Sequence, residues 1–344
     1  MSLRYRTVLS AVLTGSVVMV PVGEAAGATV ASSGLLPAHP SGPRCDVALA
    51  PRLPVGTYPA VFSPGPPVPY LSGWTPQGLT TWHNWDGQGH TALLLGMYRR
   101  GAQSYLVGID PQTGARLGTV RTRASHLGAL GVVGRWVIAQ DTLNGHQKAA
   151  VRRYPVSAMR AAMLTSQRTG TKPYLAPTGT PQRVHSVGFM AVTGKSMWLG
   201  RHSKARTTKM YRYRATHSGL LHRTGGPWRV PPRTQGLLVT KDQFVFTSSY
   251  GGQDGTLTVV NRVAPNTPVA CVSTPALPEN MTIDGDKVYA SYESGAKQFD
   301  KPSTTSKVSD LRTGLLRSLL SWGAGTGGLG GQALAQISAL NVVL

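Results

Sequence analysis

Acidic residues are scarce in this chain: 13 Asp and Glu stand against 35 Lys and Arg in 344 residues, a net charge of +22. Charged residues make up only 14%, a poor match to the solvated faces of a helical bundle, while 41 glycines and 25 prolines suit many short strands and tight turns. Two cysteines, Cys45 and Cys271, allow a single bridge and leave no Cys-x-x-Cys metal or redox pair. Beyond the first 28 residues no stretch is apolar enough to cross a membrane. G-x-S-x-G, H-E-x-x-H and a phosphate loop are all missing, which removes the nucleophile elbow, the zincin helix and the nucleotide cradle. Asp254, Asp284 and Asp286 are turn aspartates with no calcium-loop spacing around them.

What is present is one phrase written five times. QGLLVTKDQFVFTSSY, from Gln235, reads as a β-hairpin: a short apolar strand, the polar turn Thr240-Lys241-Asp242, and a second strand of alternating large residues. Versions of it start at Pro76, Ser125, His185 and Glu279, about 45–60 residues apart. That period predicts an all-β fold, a β-propeller of about five four-stranded blades, with six if residues 45–70 supply more strands than their composition suggests. D-P-x-T-G at Asp110 and the pairs Asp86-Gly87, Asn144-Gly145, Asp254-Gly255 and Asp284-Gly285 mark turns. VSAMRAAM, 156–163, has helical spacing and predicts one short inserted helix. VGTYPAVF, 55–62, is expected to supply a strand, AKQFD near 296–300 another, and VSDLRTG from Val308 the closing one unless the N-terminus provides it.

The ends of the chain differ from this pattern. Residues 1–28 carry Arg4 and Arg6, an apolar core of about 16 residues from Thr7 to Val22, and a small-x-small Ala26-Gly27-Ala28, the layout of a cleaved signal peptide. The mature protein is therefore expected to be secreted, with no membrane span. Residues 29–50 read as a flexible linker, 51–320 as the propeller domain and 321–344 as a Gly-rich C-terminal tail. In an exported chain Cys45 and Cys271 are expected to pair, tying the N-terminal segment to the closing blade.

The charge admits two explanations. A surface of this sign suits a polyanion such as a teichoic acid or an acidic polysaccharide. Frequent Ala, Gly, Pro and Arg with little Lys is also what a high-GC genome writes. The positive charge is spread along the chain, densest from Arg201 to Arg214.

In a propeller the first strand of each blade lines the central channel. Each repeat places polar residues at that strand's start: Gln77, His126, His185, Gln235 and Glu279, with Glu293 one hairpin later. Together they would offer imidazoles, carboxamides and carboxylates, suited to ligand binding or acid–base chemistry, and two His with a carboxylate would also suit a transition metal. The competing reading is structural, with polar side chains bonding the neighbouring blade and adjacent glycines letting backbones approach at the axis. Asp141 is the remaining acid that a paired-carboxylate mechanism would use. Trp74, Trp82, Trp85, Trp198, Tyr250 and Tyr292 would stack on sugar rings if exposed and fill the blades if not.

The phrases PQGLT, SHLGAL, RRYPVSAMRAA, KMYRYRA, TQGLLVTKDQFVFTSSYG and YESGAKQF resemble a family of exported, uncharacterised propeller-like proteins of high-GC Gram-positive bacteria. The resemblance covers about residues 74–320 and leaves out the linker and the tail. It implies a propeller fold and secretion, and brings no activity, cofactor or catalytic residue. Gln77, His126, His185, Gln235 and Glu293 fall in its motif-like phrases. The expected function is a secreted, monomeric, non-catalytic binding module for an anionic or carbohydrate-like cell-envelope ligand. The alternatives are a hydrolase or lyase using the channel-mouth His and Glu residues, and a protein-interaction scaffold. No cofactor, metal or nucleic acid is expected.

Overall fold

The structure is a computed structural model that describes residues 44–45, 52–53, 56–142 and 149–324. The expected signal peptide, most of the linker, the Asn144-Gly145 turn and the glycine run lie outside the described residues. Within them, twenty strands form five four-stranded antiparallel sheets. Blade one comprises β2 (Thr75–Trp82), β3 (Ala92–Tyr98), β4 (Ser104–Ile109) and β5 (Arg116–Thr122). Blade two comprises β6 (Leu130–Val133), β7 (Trp136–Thr142), β8 (Ala149–Pro155) and β9 (Gln182–Arg183). Blade three comprises β10 (Phe189–Thr193), β11 (Ser196–Gly200), β12 (Thr208–Ala215) and β13 (Leu221–Val230). Blade four comprises β14 (Thr234–Val239), β15 (Gln243–Ser248), β16 (Asp254–Asn261) and β17 (Pro268–Ala276). Blade five orders β18 (Pro278–Asp284), β19 (Lys287–Tyr292) and β20 (Asp310–Leu315), then β1 (Phe62–Pro67) from the other end of the chain. The innermost strands β2, β6, β10, β14 and β18 touch in that order and β18 returns to β2, which closes a five-bladed propeller.

Packing explains why the middle strands are apolar runs as well as alternations. A blade is covered by a neighbour on each face, so Leu93, Leu94 and Leu95 on β3 are all fully buried although their side chains point to opposite sides. One cluster joins blades one and two through Leu94, Leu106, Leu130 and Val137. Another joins blades three and four through Phe189, Trp198, Phe244 and Phe246.

Several expectations change. VGTYPAVF forms mainly a short helix, α1 (Thr57–Val61), and the strand lies after it, in FSPGPP. Pro64, Pro66 and Pro67 are tolerated because β1 is an outer strand whose free edge needs no donors. VSDLRTG is the third strand of blade five, and the N-terminus supplies the fourth, so both proposed sources contribute. AKQFD is a 3₁₀ turn over Lys297–Phe299, not a strand. The turn before β16 is made by Gly251 and Gly252, both left-handed, and Asp254-Gly255 already belongs to the strand.

The inserted helix, α2 (Val156–Thr169), is longer than its apolar pattern suggested. Met159, Met163 and Ser166 form its buried face. Ser166 extends the helix because its hydroxyl accepts the Thr119 N–H at 2.8 Å and donates to the Thr171 carbonyl at 2.6 Å. The Gly-rich tail begins later than expected: α3 (Leu316–Ala324) runs across residue 320, with Leu319 and Trp322 buried in the core of blades four and five.

Cys45 and Cys271 are bonded, with Cα atoms 5.7 Å apart. Cys271 lies on β17, so the N-terminal segment is fastened to blade four before β1 reaches blade five. The Leu53 N–H to Cys271 carbonyl bond, 2.9 Å, continues that attachment.

Candidate functional site

At the propeller axis the innermost strands are too close for ordinary side chains. A Cβ on Gly236 would overlap the Glu279 carbonyl oxygen, and one on Gly128 the Gly188 carbonyl oxygen. Where glycine is absent, Asn280 fills the space. Its Nδ2 donates to the carbonyls of Met190 (2.9 Å) and Leu79 (3.3 Å), and its Oδ1 accepts the Leu237 N–H (3.2 Å). One side chain on blade five thereby bonds blades one, three and four. Such an axial polar residue is the structural role weighed for the strand starts.

One cavity of about 400 Å³ opens at the channel mouth. His126, His185, Gln235, Glu279 and Glu293 all line it, and Gln77 lies beneath, fully buried, with its Nε2 donating to Glu293 Oε1. All six predicted candidates therefore meet at one place. A larger cavity, about 720 Å³, sits at the outer edge of blade five between α1 and α3; no described acid or imidazole lines it.

The chain has three glutamates, and two of them form the floor of the channel mouth. Glu279 is 3% exposed and its Oε1 has no hydrogen-bond partner, while Glu293 is 9% exposed and held by Gln77. Burial raises both carboxyls above their ordinary range, Glu293 to about 7, against the opposing pull of the Gln77 N–H. Glu279 is raised further because the charge of Glu293 adds to its own desolvation. Two carboxyls in one desolvated site hold on to a proton at neutral pH. The Gln77 bond favours the ionised form on Glu293 and leaves the proton on Glu279.

Imidazoles and cations form the walls. His126 stacks at an angle on Tyr98, centroids 4.9 Å apart, and burial with the nearby His202 pulls its pKa down to about 4. His202 Nδ1–H donates to the Thr234 carbonyl at 3.1 Å, and burial lowers the pKa of His202 as well. His185 is exposed at the rim, with Arg223 Nη1 donating to its Nε2 at 3.0 Å and Tyr213 behind it. Arg201 and Lys204 complete the wall. Arg233 and Leu277, each two residues before a site residue, take left-handed backbone angles (φ 62° and 57°), a repeated turn that aims Gln235 and Glu279 into the channel. No group of three His, Cys, Asp or Glu among the described residues stands close enough to hold a metal ion.

His202, Arg201, Lys204 and Gln140 belong to the cavity but were not among the predicted candidates. His202 and Arg201 end the phrase SMWLGRH, so position in the repeat was a usable signal. Asp141 lies elsewhere: it is buried in an ion pair with Arg152, β7 to β8, while its neighbour Gln140 faces the cavity. Of the aromatics, Trp82, Trp85, Trp198 and Tyr292 are core residues, and Tyr250 is 44% exposed.

Comparison with protein-family models and with curated proteins gives no match. Among solved structures the chain is similar to a glutaminyl cyclase of Myxococcus xanthus, with 9% identity, a TM-score of 0.44 and coverage of 74% of this chain and 96% of that one. It is similar also to the WD40 repeats of RRP9 (7% identity, TM-score 0.39, 74% and 99% covered). BamB of Moraxella catarrhalis gives 12% identity, a TM-score of 0.31 and coverage of 65% and 70%. At these values nothing of those proteins' activities transfers, and the site is argued from this chain's own residues.

Proposed function

We propose that the channel mouth is an acid–base site that cleaves a polar extracellular substrate, by hydrolysis or elimination. Glu279 is the proton donor and Glu293 the base. The observation that carries this reading is the pair itself: two buried carboxyls, one with an unpartnered oxygen, at the floor of an open cavity in a chain that has only three glutamates. A buried acid with no structural partner is costly to keep, so its retention is best explained by a proton that it gives or takes. The test is incubation of the full chain with acidic and neutral extracellular polysaccharides. New reducing ends report hydrolysis, and ultraviolet absorbance of unsaturated ends reports elimination. Glu279→Gln and Glu293→Gln should each lower the rate by roughly 100-fold or more, the usual range for loss of a general acid or base. Product formed at the wild-type rate by both variants, or none formed by the wild type from any substrate, would sink the proposal.

A second reading, non-catalytic binding of an anionic or carbohydrate-like ligand, is favoured by the cationic wall of Arg201 and Lys204 above the carboxyl floor. It predicts tight, salt-sensitive binding with no product, unchanged by Glu279→Gln.

A further inference from the structure

A third cavity, about 320 Å³, lies beside the channel mouth, and Lys204 lines both it and the mouth. The walls of this cleft include Arg44, Arg233, Ser248 and Thr256. Near it the ring of Tyr250, 44% exposed, has Lys204 Nζ at 5.3 Å and the Arg233 guanidinium at 5.6 Å from its centroid. Arg233 is fixed in place. Its Nε donates to the Lys204 carbonyl at 3.2 Å, its N–H to the Ser203 carbonyl at 2.7 Å, and its own carbonyl accepts the Ser249 N–H at 3.1 Å. Neither Arg233 nor Lys204 forms an ion pair with an acid among the described residues. The charge of this cleft is thus uncompensated, pre-oriented and placed on an aromatic ring, with hydroxyls around it.

We propose that this cleft is a subsite for an acidic glycan chain, built from sugars that carry a carboxylate. One sugar lies in the cleft, its acid group on Lys204 and Arg233 and its ring against Tyr250. The chain then passes over Lys204 and presents the next sugar to the channel mouth. Each element of the site matches one property of such a polymer. The guanidinium fork and the ammonium take the carboxylate. The exposed aromatic edge takes the apolar side of a sugar ring. The shared Lys204 makes the two cavities one continuous path. A single small ligand would need only the channel mouth; a second basic cleft joined to it is what a chain requires. The inference rests on the channel mouth as the place where substrate is cleaved, but its test does not depend on cleavage.

The experiment is a binding titration of the full chain with polygalacturonate, galacturonic acid monomer, neutral dextran and polyglycerol phosphate, at low and raised salt. Wild type should bind polygalacturonate at least about 10-fold more tightly than the monomer or dextran, with affinity falling as salt rises. Lys204→Gln with Arg233→Gln should weaken polygalacturonate binding by about 10-fold, as expected for two partly exposed charge contacts, and Tyr250→Ala should weaken it further. Lys287→Gln with Arg317→Gln, the same loss of charge at the outer edge of blade five, should bind as wild type does. Lys204, Arg233 and Tyr250 are solvent-facing, and the thermal midpoint of each variant confirms that it folds. Equal binding of polygalacturonate by wild type and the cleft variants overturns the proposal. So does dextran binding as tightly as the acidic polymer, or polyglycerol phosphate binding more tightly than polygalacturonate, which would make the partner a phosphate polymer. If the cleft variants lose binding while wild type forms no product, the cleft stands and the catalytic reading falls. If they bind normally while cleavage persists, the reverse holds.

Discussion

Between pH 4 and 7 two groups at the channel mouth should pull stability in opposite directions, and substituting either one exposes the other. Glu293 titrates near 7 in the fold against 4.5 when unperturbed. Between those values the folded state holds a proton that the unfolded chain has released, so stability falls as pH rises. At about 1.4 kcal/mol per pH unit, the loss across the window is about 3 kcal/mol. His126 titrates near 4 in the fold against 6.5 when unperturbed. Between those values the unfolded chain holds the extra proton, so stability rises with pH. The gain is at most about 3 kcal/mol, because His126 is only partly buried and solvent screens some of it. His202 is lowered too and acts in the same sense. Glu279, raised well above its ordinary value by burial and then by Glu293, keeps its proton in the fold while the unfolded chain releases its own, so it adds to the fall with pH; the part due to burial is common to wild type and both variants. The assay is urea unfolding of wild type, Glu293→Gln and His126→Gln at half-unit pH steps, with each variant subtracted from wild type so that all other titrations cancel. The wild-type minus Glu293→Gln difference should fall by about 3 kcal/mol from pH 4.5 to 7. The wild-type minus His126→Gln difference should rise by up to about 3 kcal/mol from pH 4 to 6.5. Parallel profiles for wild type and Glu293→Gln would mean that the carboxyl titrates as an ordinary solvated one, and the argument from burial would be wrong.

Three further outcomes follow from the same structure. Asn280→Ala strands the Leu237 N–H and the Met190 carbonyl at the axis and should cost about 3 kcal/mol in urea unfolding, whereas Gln235→Ala, at the partly exposed wall, should cost under about 1 kcal/mol. Replacing Cys45 and Cys271 together with serine opens a loop closed across 226 positions; the chain-entropy figure is about 5 kcal/mol, so the thermal midpoint should drop by roughly 10 °C, and an unchanged midpoint would show that β1 alone holds the ring closed. Arg152→Met leaves Asp141 buried without its partner and should destabilise by about 3–5 kcal/mol, with most of that recovered in the Asp141→Leu, Arg152→Met double variant.

The architecture was legible because it is local. Each β-hairpin is specified by its own turn residues and apolar pattern, and five such hairpins at a regular spacing admit few folds other than a propeller. The disulfide partners were legible for the simplest reason, since the chain offers only two cysteines. Errors came where a segment's structure depends on something distant. FSPGPP has no strand propensity, and becomes one only because β20 offers it an edge. LLRSLLSWG belongs to the fold because Trp322 finds Phe62 and the core of blades four and five. At the site, position in the repeat was enough to nominate Gln77, His126, His185, Gln235, Glu279 and Glu293, because propeller geometry sends every strand start to the same mouth. It did not separate Asn280, which holds the blades together, from Glu279 beside it, which faces the cavity. Nor did it reveal that Glu279 and Glu293 share one desolvated space. Those properties arise from burial and Coulomb interaction, which depend on what neighbouring blades bring within a few ångströms, and no stretch of sequence contains its own neighbours.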